Sequence, residues 1–299
     1  MRNTLIILNP AAHSERAQRR RAQVEALARD CAFCATTRTG EAEQMARRGV
    51  LEGFETIVAA GGDGTINEVV NGICQSSVGS QAEVRLGLLP IGTMNVFATE
   101  LGLPVNDLAL CWNIIQRDST RAVDLPKANQ KFFAQLAGVG LDAQVVKETS
   151  AQLKKSFGPL SYLISAAQIA ARQPPRLFIE SDDTPVKEGS FVLVGNGRLY
   201  GGPFPFFKHA VIDDGKLDVI VFKSLGYLEI IKYLQDVVFS SEIRVPEIEY
   251  FQTSRLRVES DQLVPVELDG ELIGNCPVEF TLQARSLRVL APTRAEVPS

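Results

Sequence analysis

Two glycine-rich segments hold the residues best suited to chemistry, Gly61-Gly62-Asp63-Gly64-Thr65 and Leu89-Pro90-Ile91-Gly92-Thr93-Met94-Asn95. Three glycines in five residues let backbone N–H groups approach phosphate oxygens, and a helix start adds partial positive charge. Asp63 would repel a phosphate unless a cation sat between them. An acid inside such a cradle points to Mg²⁺, a catalytic role, or both. Taken alone, the pentapeptide also reads as a tight turn with a capping acid. The second loop repeats the context of strand, glycine turn and helix, and two such loops on neighbouring strands could hold one nucleotide between them. The sequence contains neither a GxxxxGK[ST] loop nor a GxGxxG fingerprint, so an ordinary P-loop or dinucleotide fold is excluded.

Other chemistries are closed off by residue type. His13 and His209 are the only histidines, and no GxSxG elbow occurs, which argues against a catalytic triad or a multi-histidine metal site. The five cysteines are Cys31, Cys34, Cys74, Cys111 and Cys276. An odd count in a chain this size fits a reducing compartment better than a disulfide framework. Cys31 and Cys34 form a CxxC, but it lies in a strand-like run, where a redox motif would open a helix; a structural role is expected.

The elements that must position the loops alternate. Strands are expected at Thr4–Leu8, Ala32–Thr37, Glu55–Ala60 and Arg85–Leu89, with helices at Ser14–Asp30, Gly40–Leu51, after Thr65, after Asn95 and at Asn106–Asp118. Ile66, Val69, Val70 and Ile73 follow the helical i, i+3, i+4, i+7 pattern, and Thr65 with Glu68 reads as a capping box. This alternation implies a parallel sheet covered on both faces, with ligands at the carboxyl ends of its strands.

After Arg121 strand-like runs dominate, at 122–127, 131–136, 177–181, 190–195, 216–222, 255–260, 265–268, 278–282 and 286–290. Helices are expected at Gln144–Ala171 and Tyr227–Ser240. The division is therefore residues 1–121 as an α/β domain, 122–292 as a β-rich domain, and a tail from Thr293. The chain has 299 residues, 31 Lys and Arg against 35 Asp and Glu, and a net charge of −4, which does not suit a general nucleic-acid binder. Apolar stretches fall short of the ~20 residues that span a bilayer, and Met1-Arg2-Asn3 leads into a strand without a cleavage pattern. A cytoplasmic protein, with any membrane contact peripheral at the inner face, is the expectation.

Asn9-Pro10, Gly61 to Gly72, Leu89 to Asn95, Gly195-Asn196-Gly197, Gly201-Gly202, Val211 to Asp218 and Leu268-Asp269-Gly270-Glu271 occur in order along nearly the whole chain. Together they resemble the soluble lipid kinase family of bacterial diacylglycerol kinases, sphingosine kinases and ceramide kinases. The resemblance implies an N-terminal α/β nucleotide domain and a C-terminal β-sandwich, with the active site in the cleft between them. It implies ATP held by Gly61, Gly62, Asp63, Gly64, Thr65, Ile66, Asn67, Gly92, Thr93 and Asn95, with Thr36 as a further contact. Glu271 matches the general base of bacterial members. In sphingosine kinases the aspartate matching Asp63 has been given that role, so both are kept, with Asp63 nearer the phosphates and Mg²⁺. A second, structural Mg²⁺ or Ca²⁺ would map to the Asp214 carboxylate and the carbonyls of Val211 and Lys216.

Phosphoryl transfer asks for positioning and charge neutralisation more than covalent help, and a carboxylate near the acceptor hydroxyl assists as its proton leaves. Glu271 has a plain alternative as a solvated strand residue after the Asp269-Gly270 hairpin turn. The chain departs from the family where Val96 replaces the usual aspartate and where Pro203 closes the second glycine cluster. Phe204, Phe206 and Phe207 would either grip lipid or pack on the sandwich. Arg16, Arg19, Arg20 and Arg21 form a basic helix face suited to solvent or to anionic headgroups. The expected activity is ATP- and Mg²⁺-dependent phosphorylation of a lipid hydroxyl presented by a membrane surface, diacylglycerol first. The alternatives are a soluble-metabolite kinase resembling NAD kinase and a non-catalytic nucleotide or lipid sensor.

Overall fold

The structure, a computed structural model, describes residues 3–10, 15–76, 84–141, 143, 173–182, 184–223, 225–226, 229–230, 233 and 247–293. The first strands are short, apolar and buried: β1 Thr4–Leu8, β3 Thr56–Gly61 and β4 Arg85–Pro90. With β2 (Ala32–Ala35) they pair in parallel in the order β2-β1-β3-β4. Burial on both faces accounts for their near-continuous apolar runs. On one face α2 (Glu41–Leu51) lies close enough for Gly49 to abut Leu5 and Ile57. On the other α5 (Leu108–Gln116) lays Ile115 against Gly87 and Val58. Residues 57 and 58 point to opposite faces because side chains alternate along a strand. Helices α1 (Glu15–Leu27) and α3 (Asp63–Ser76) pack beside α5 and α2 respectively, completing the two layers.

The β-rich half is a sandwich. Strands β7 (Leu136–Val139), β10 (Phe191–Gly195), β11 (Leu217–Phe222), β12 (Ile248–Thr253), β14 (Pro265–Leu268) and β15 (Glu271–Asn275) form an antiparallel sheet in the order β12-β11-β10-β7-β14-β15. Val139, Val192, Val194, Val219 and Val266 from this sheet meet Ile179, Leu256, Val258 and Phe280 from the facing one in a single apolar core. The facing strands are β8 (Leu177–Ser181), β9 (Thr184–Gly189), β13 (Arg255–Ser260) and β16 (Val278–Leu290). They are not separate from the first half. β16 pairs in parallel with β4 through Arg288 and Val289, and antiparallel with β5 (Thr120–Ala128), so one ten-stranded mixed sheet runs through both domains.

Two expectations are revised and one pair of alternatives is decided. The two strands expected at 278–282 and 286–290 are one strand, β16, bent at an irregularity where Arg285 takes a positive φ of 49°. The strand expected at 131–136 is divided into β6 (Lys131–Phe132) and β7. Of the two readings of the phenylalanine loop, packing holds: Phe206 and Phe207 are buried with Phe191, Leu193, Ile220 and Phe222 on the outer face of the antiparallel sheet. Gly195 makes room for this, since a Cβ there would lie 2.5 Å from the Phe207 ring. Burying a phenylalanine side chain contributes about 1.5–3 kcal/mol. The expected helix 144–171 and the tail 294–299 lie outside the described residues, as does most of 227–240.

Candidate active site

β3 and β4 end side by side, Gly61 opposite Pro90, and the Ile91 N–H donates to the Gly61 carbonyl at 3.0 Å. The pairing brings the glycine loops into backbone contact. A Cβ on Gly92 would lie 2.5 Å from the Gly62 Cα and 2.9 Å from Asn95 Oδ1, so this position accepts only glycine without a shift. The first intrahelical bond of α3 runs from Ile66 N–H to the Gly62 carbonyl, and the N–H groups before it lie outside that ladder. Asn95 takes left-handed φ and ψ of 50° and 47° and its Nδ2 donates to the Gly92 carbonyl at 3.0 Å. Among the described residues its buried Oδ1 has no hydrogen-bond partner.

Asp63 is shared between the loops. Its Oδ1 accepts from Phe97 N–H at 3.2 Å, and the carboxylate also takes the Val96 N–H, capping α4 (Val96–Glu100) from the neighbouring strand. Burial pushes its carboxyl above the ordinary range; those two N–H groups oppose the rise and the Asp269 charge adds to it. Thr65 Oγ1 accepts from Asn9 Nδ2 at 2.9 Å, tying the end of β1 to α3, while buried Thr36 donates its N–H to the Leu8 carbonyl. The capping box is corrected: the Glu68 carboxylate reaches across to Gly40 and Ala42 N–H, at 2.8 and 3.0 Å, and caps α2.

The other half of the chain supplies Glu271. It is the first residue of β15, directly after the two-residue turn Asp269-Gly270, whose φ values of 48° and 85° suit a type I′ hairpin. Glu271 Oε1 lies 2.9 Å from where a Cβ on Gly64 would stand. The two candidate carboxylates, far apart in sequence, thus border one glycine loop. Thr93 is exposed on the second loop, and Gly202 abuts Met94 beside it. Ile66 is buried in the core, and its N–H is taken by the Gly62 carbonyl, so it shapes the start of α3 from within. The Asn67 side chain is taken up elsewhere: its Nδ2 donates to Asp269 Oδ2 at 2.8 Å and to the Phe132 carbonyl at 3.2 Å.

The remaining candidates form a separate turn. The Asp214 N–H donates to the Val211 carbonyl at 3.2 Å and its Oδ1 accepts from Lys216 N–H at 3.0 Å. Gly215 N–H donates to Asp124, and hydrogen bonds continue through Asn196 and Ala134 to Asp269. Among the described residues no group of three or more His, Cys, Asp or Glu side chains is gathered for a metal ion. Next to the turn, Asp218 is fully buried and accepts from the Tyr250 hydroxyl and from Gln252 Nε2. Burial raises its carboxyl, opposed by those donors. An acid with a raised folded-state pKa binds more protons folded than unfolded. Its stability contribution is therefore full below the unfolded value of about 3.9 and is lost as pH rises through the folded value. Asp218→Asn is expected to flatten this acidic-side decline relative to wild type, as read by urea unfolding at stepped pH; an unchanged slope would contradict it.

Other expected features resolve plainly. Arg20 donates to the Pro90 and Val105 carbonyls, so it fastens α1 to the end of β4 rather than joining an open basic face. Arg21 pairs with Glu25. All five cysteines are free, and burial raises the Cys31 and Cys34 thiols and pushes those of Cys74 and Cys111 up to about 12. The CxxC thus lies in the β2 region, with burial favouring the thiol form of both side chains.

Residues 3–128 match the diacylglycerol kinase catalytic domain, and residues 136–291 match the YegS C-terminal NAD kinase beta sandwich-like domain. A diacylglycerol kinase of Bacillus subtilis strain 168 is 30% identical over 298 residues, covering 98% of this chain and 97% of that protein. The chain belongs to the diacylglycerol kinase family. It is a kinase of the lipid-kinase type at family level. A crystal structure of a diacylglycerol kinase from Bacillus anthracis strain Sterne shares the fold, with a TM-score of 0.78, 24% identity and 98% coverage of both chains. An NAD kinase from Archaeoglobus fulgidus, solved with ATP, shares the fold more distantly, with a TM-score of 0.50, 10% identity and coverage of 97% and 93%.

Within this diacylglycerol kinase-family site, several contributors were not singled out from sequence. Asn196 lies in a quoted motif, and its Nδ2 joins the Asp124 and Ala134 carbonyls at 3.0 and 2.9 Å. Glu100 and Gln135 carry no local signal, yet Glu100 accepts from Leu199 N–H and pairs with Arg198, and Gln135 Nε2 donates to the Leu199 carbonyl. The Glu100 bonds join α4 to the loop after β10 across the domain boundary.

Proposed function

We propose that this chain transfers the γ-phosphate of ATP to a hydroxyl of a membrane lipid, diacylglycerol being the first choice, with Glu271 as general base. The observation that carries the reading is the Glu271 carboxylate held beside Gly64, at the loop whose backbone suits phosphates. Gly61, Gly62, Gly64, Thr65 and Gly92 would cradle the phosphates, with Thr36, Thr93 and Asn95 at the margins. The closely apposed glycines and the partnerless Asn95 Oδ1 fit a ligand with both phosphate acceptors and hydroxyl or amine donors. Asp63 fits Mg²⁺, because an ion shared with substrate phosphates needs only one or two protein carboxylates, and Glu271 stays free to act as base. Bound there, the ion would neutralise phosphate charge. Glu271 would accept the hydroxyl proton as the new P–O bond forms, and the α3 N-terminus would offset negative charge on the cradled phosphates.

The lipid acceptor is supported by the relatives' names and by Glu271, which lies on an exposed edge strand that a bilayer-held substrate could reach. Among the described residues no helix is long and apolar enough to cross a membrane. We place the protein in the cytoplasm, meeting the membrane from its surface. The test is transfer of labelled γ-phosphate from ATP and Mg²⁺ to a total lipid extract, with NAD as competing acceptor. Label in a lipid that comigrates with phosphatidic acid supports the reading. Label in NAD, or in no acceptor while ATP still binds, overturns it.

The turn from Val211 to Lys216 is proposed to hold a structural Mg²⁺ or Ca²⁺ through the Asp214 carboxylate and the Val211 and Lys216 carbonyls, oxygen donors of the type such ions take. Added ion is then expected to raise Tm in wild type and not in Asp214→Ala, as followed by thermal melts over an ion titration. Equal responses would remove the site.

A further inference from the structure

Asp269 is better held than a hairpin turn requires. Its carboxylate accepts four N–H donors: Asn67 Nδ2 at 2.8 Å, Ala134 N at 2.7 Å, and Gln135 and Leu136 N each at 3.0 Å. Its own N–H donates to the Leu136 carbonyl. The Asn67 end is fixed with equal care. Asn67 Oδ1 accepts from Asn71 Nδ2 at 3.0 Å, and Asn71 takes the Phe132 N–H on its Oδ1 and gives Nδ2 to the Phe132 carbonyl. Asn67 and Asn71 are both buried on α3, the helix that starts at Asp63. One turn of α3, the segment from Phe132 to Leu136 and the hairpin before β15 are thereby joined. Glu271 follows Asp269 by two residues.

We propose that Asp269 and Asn67 form an interdomain clamp that positions the Glu271 carboxylate against Gly64, and that Asn67 serves this clamp rather than the nucleotide. Both are positioning residues, acting through Glu271; the proposal rests on the reading of Glu271 as base. The physical case is one of tolerance. An angstrom of displacement at a reacting group costs about 100-fold in rate, and these four bonds, with the Gly270 N–H to Glu267 bond at 2.7 Å, tie the turn before Glu271 to the rest of the fold.

The test uses the full chain with Asp269→Asn, Asn67→Ala, the double variant and Glu271→Ala. Asparagine keeps the left-handed turn conformation but replaces one of the two acceptor oxygens with an NH₂ that faces N–H donors, and alanine keeps the helix. Three quantities are read: kcat with lipid vesicles, Kd for a non-hydrolysable ATP analogue with Mg²⁺, and Tm. Each single variant is expected to lose about 100-fold in kcat with Kd unchanged within twofold. The double variant should lose no more than the worse single one, because both break one clamp. Wild-type kcat in either single variant overturns the clamp, as do losses that multiply. Nucleotide affinity weakened tenfold or more by Asn67→Ala overturns the reassignment of Asn67. If Asp269→Asn does not fold, Asn67→Ala decides alone by the same criteria. Wild-type turnover in Glu271→Ala removes the base and the clamp together, whereas an inactive Glu271→Ala beside active clamp variants removes the clamp only.

Discussion

Glu271→Gln lowers kcat for phosphate transfer about 10²–10⁴-fold while the affinity for ATP stays at its wild-type value. The magnitude is that of a positioned general base. Glutamine keeps the length and the hydrogen-bonding reach of the side chain and removes the proton acceptor. Because Glu271 is exposed at the start of an edge strand, the fold has little stake in its charge. A loss of turnover without a loss of Tm therefore isolates chemistry from folding. Initial rates on mixed vesicles, paired with equilibrium nucleotide binding, check it. A kcat within threefold of wild type would transfer the base role to Asp63, the other carboxylate on the loop.

Gly92→Ala acts on the opposite side of the balance, on nucleotide binding. The added methyl would lie 2.5 Å from the Gly62 Cα and 3.2 Å from the Gly62 nitrogen, and neither can rotate away as a side-chain tip does. The sheet cannot absorb the strain either, since Gly61 and Pro90 are registered partners immediately before the loops. The loops must part. Overpacking of this kind costs about 1–3 kcal/mol, so ATP affinity is expected to fall tenfold or more, with the remainder appearing as a lower Tm. Gly53→Ala is the control: it adds a methyl into open space at a φ of 85°, and costs backbone strain while leaving nucleotide binding intact. Equal nucleotide affinities for the two variants would show that the loops do not meet around the ligand.

The residues that declared themselves in the sequence did so through local rules. Asp269-Gly270 reads as a two-residue turn from its residue types, and a glycine run between an apolar strand and an apolar-periodic helix reads either as a phosphate loop or as a tight turn with a capping acid. What stayed hidden depended on partners distant in the chain. Asn67 sits inside a glycine-loop motif, yet its amide is used by Asp269, 202 positions away. Glu68 looks like the second half of a local capping box until α2 arrives to claim it. The aromatic run at Phe204 to Phe207 has no periodicity to say which way its rings point; the space left by Gly195 decides it. The unity of β16 was masked by its bend, which mimics a turn in the residue pattern. Asp63 was legible as an acid in a loop but not as the cap of α4, a role created by the pairing of β3 with β4.

The join between β16 and β4 also sets an order of events at the ribosome. The nucleotide-binding strands are translated first, but β4 receives Arg288 and Val289 only after the sandwich has been synthesised. Until then β4 presents an unpaired edge of apolar residues, a surface prone to mispairing in a nascent chain. The start of β4, at Arg85 and Leu86, is thus covered last, by residues far along the chain. Pairings of such sequence separation are slow to form, because the intervening chain must be closed into a loop first. A nascent chain stalled within the sandwich would carry both glycine loops and still lack the strand that covers the edge of β4.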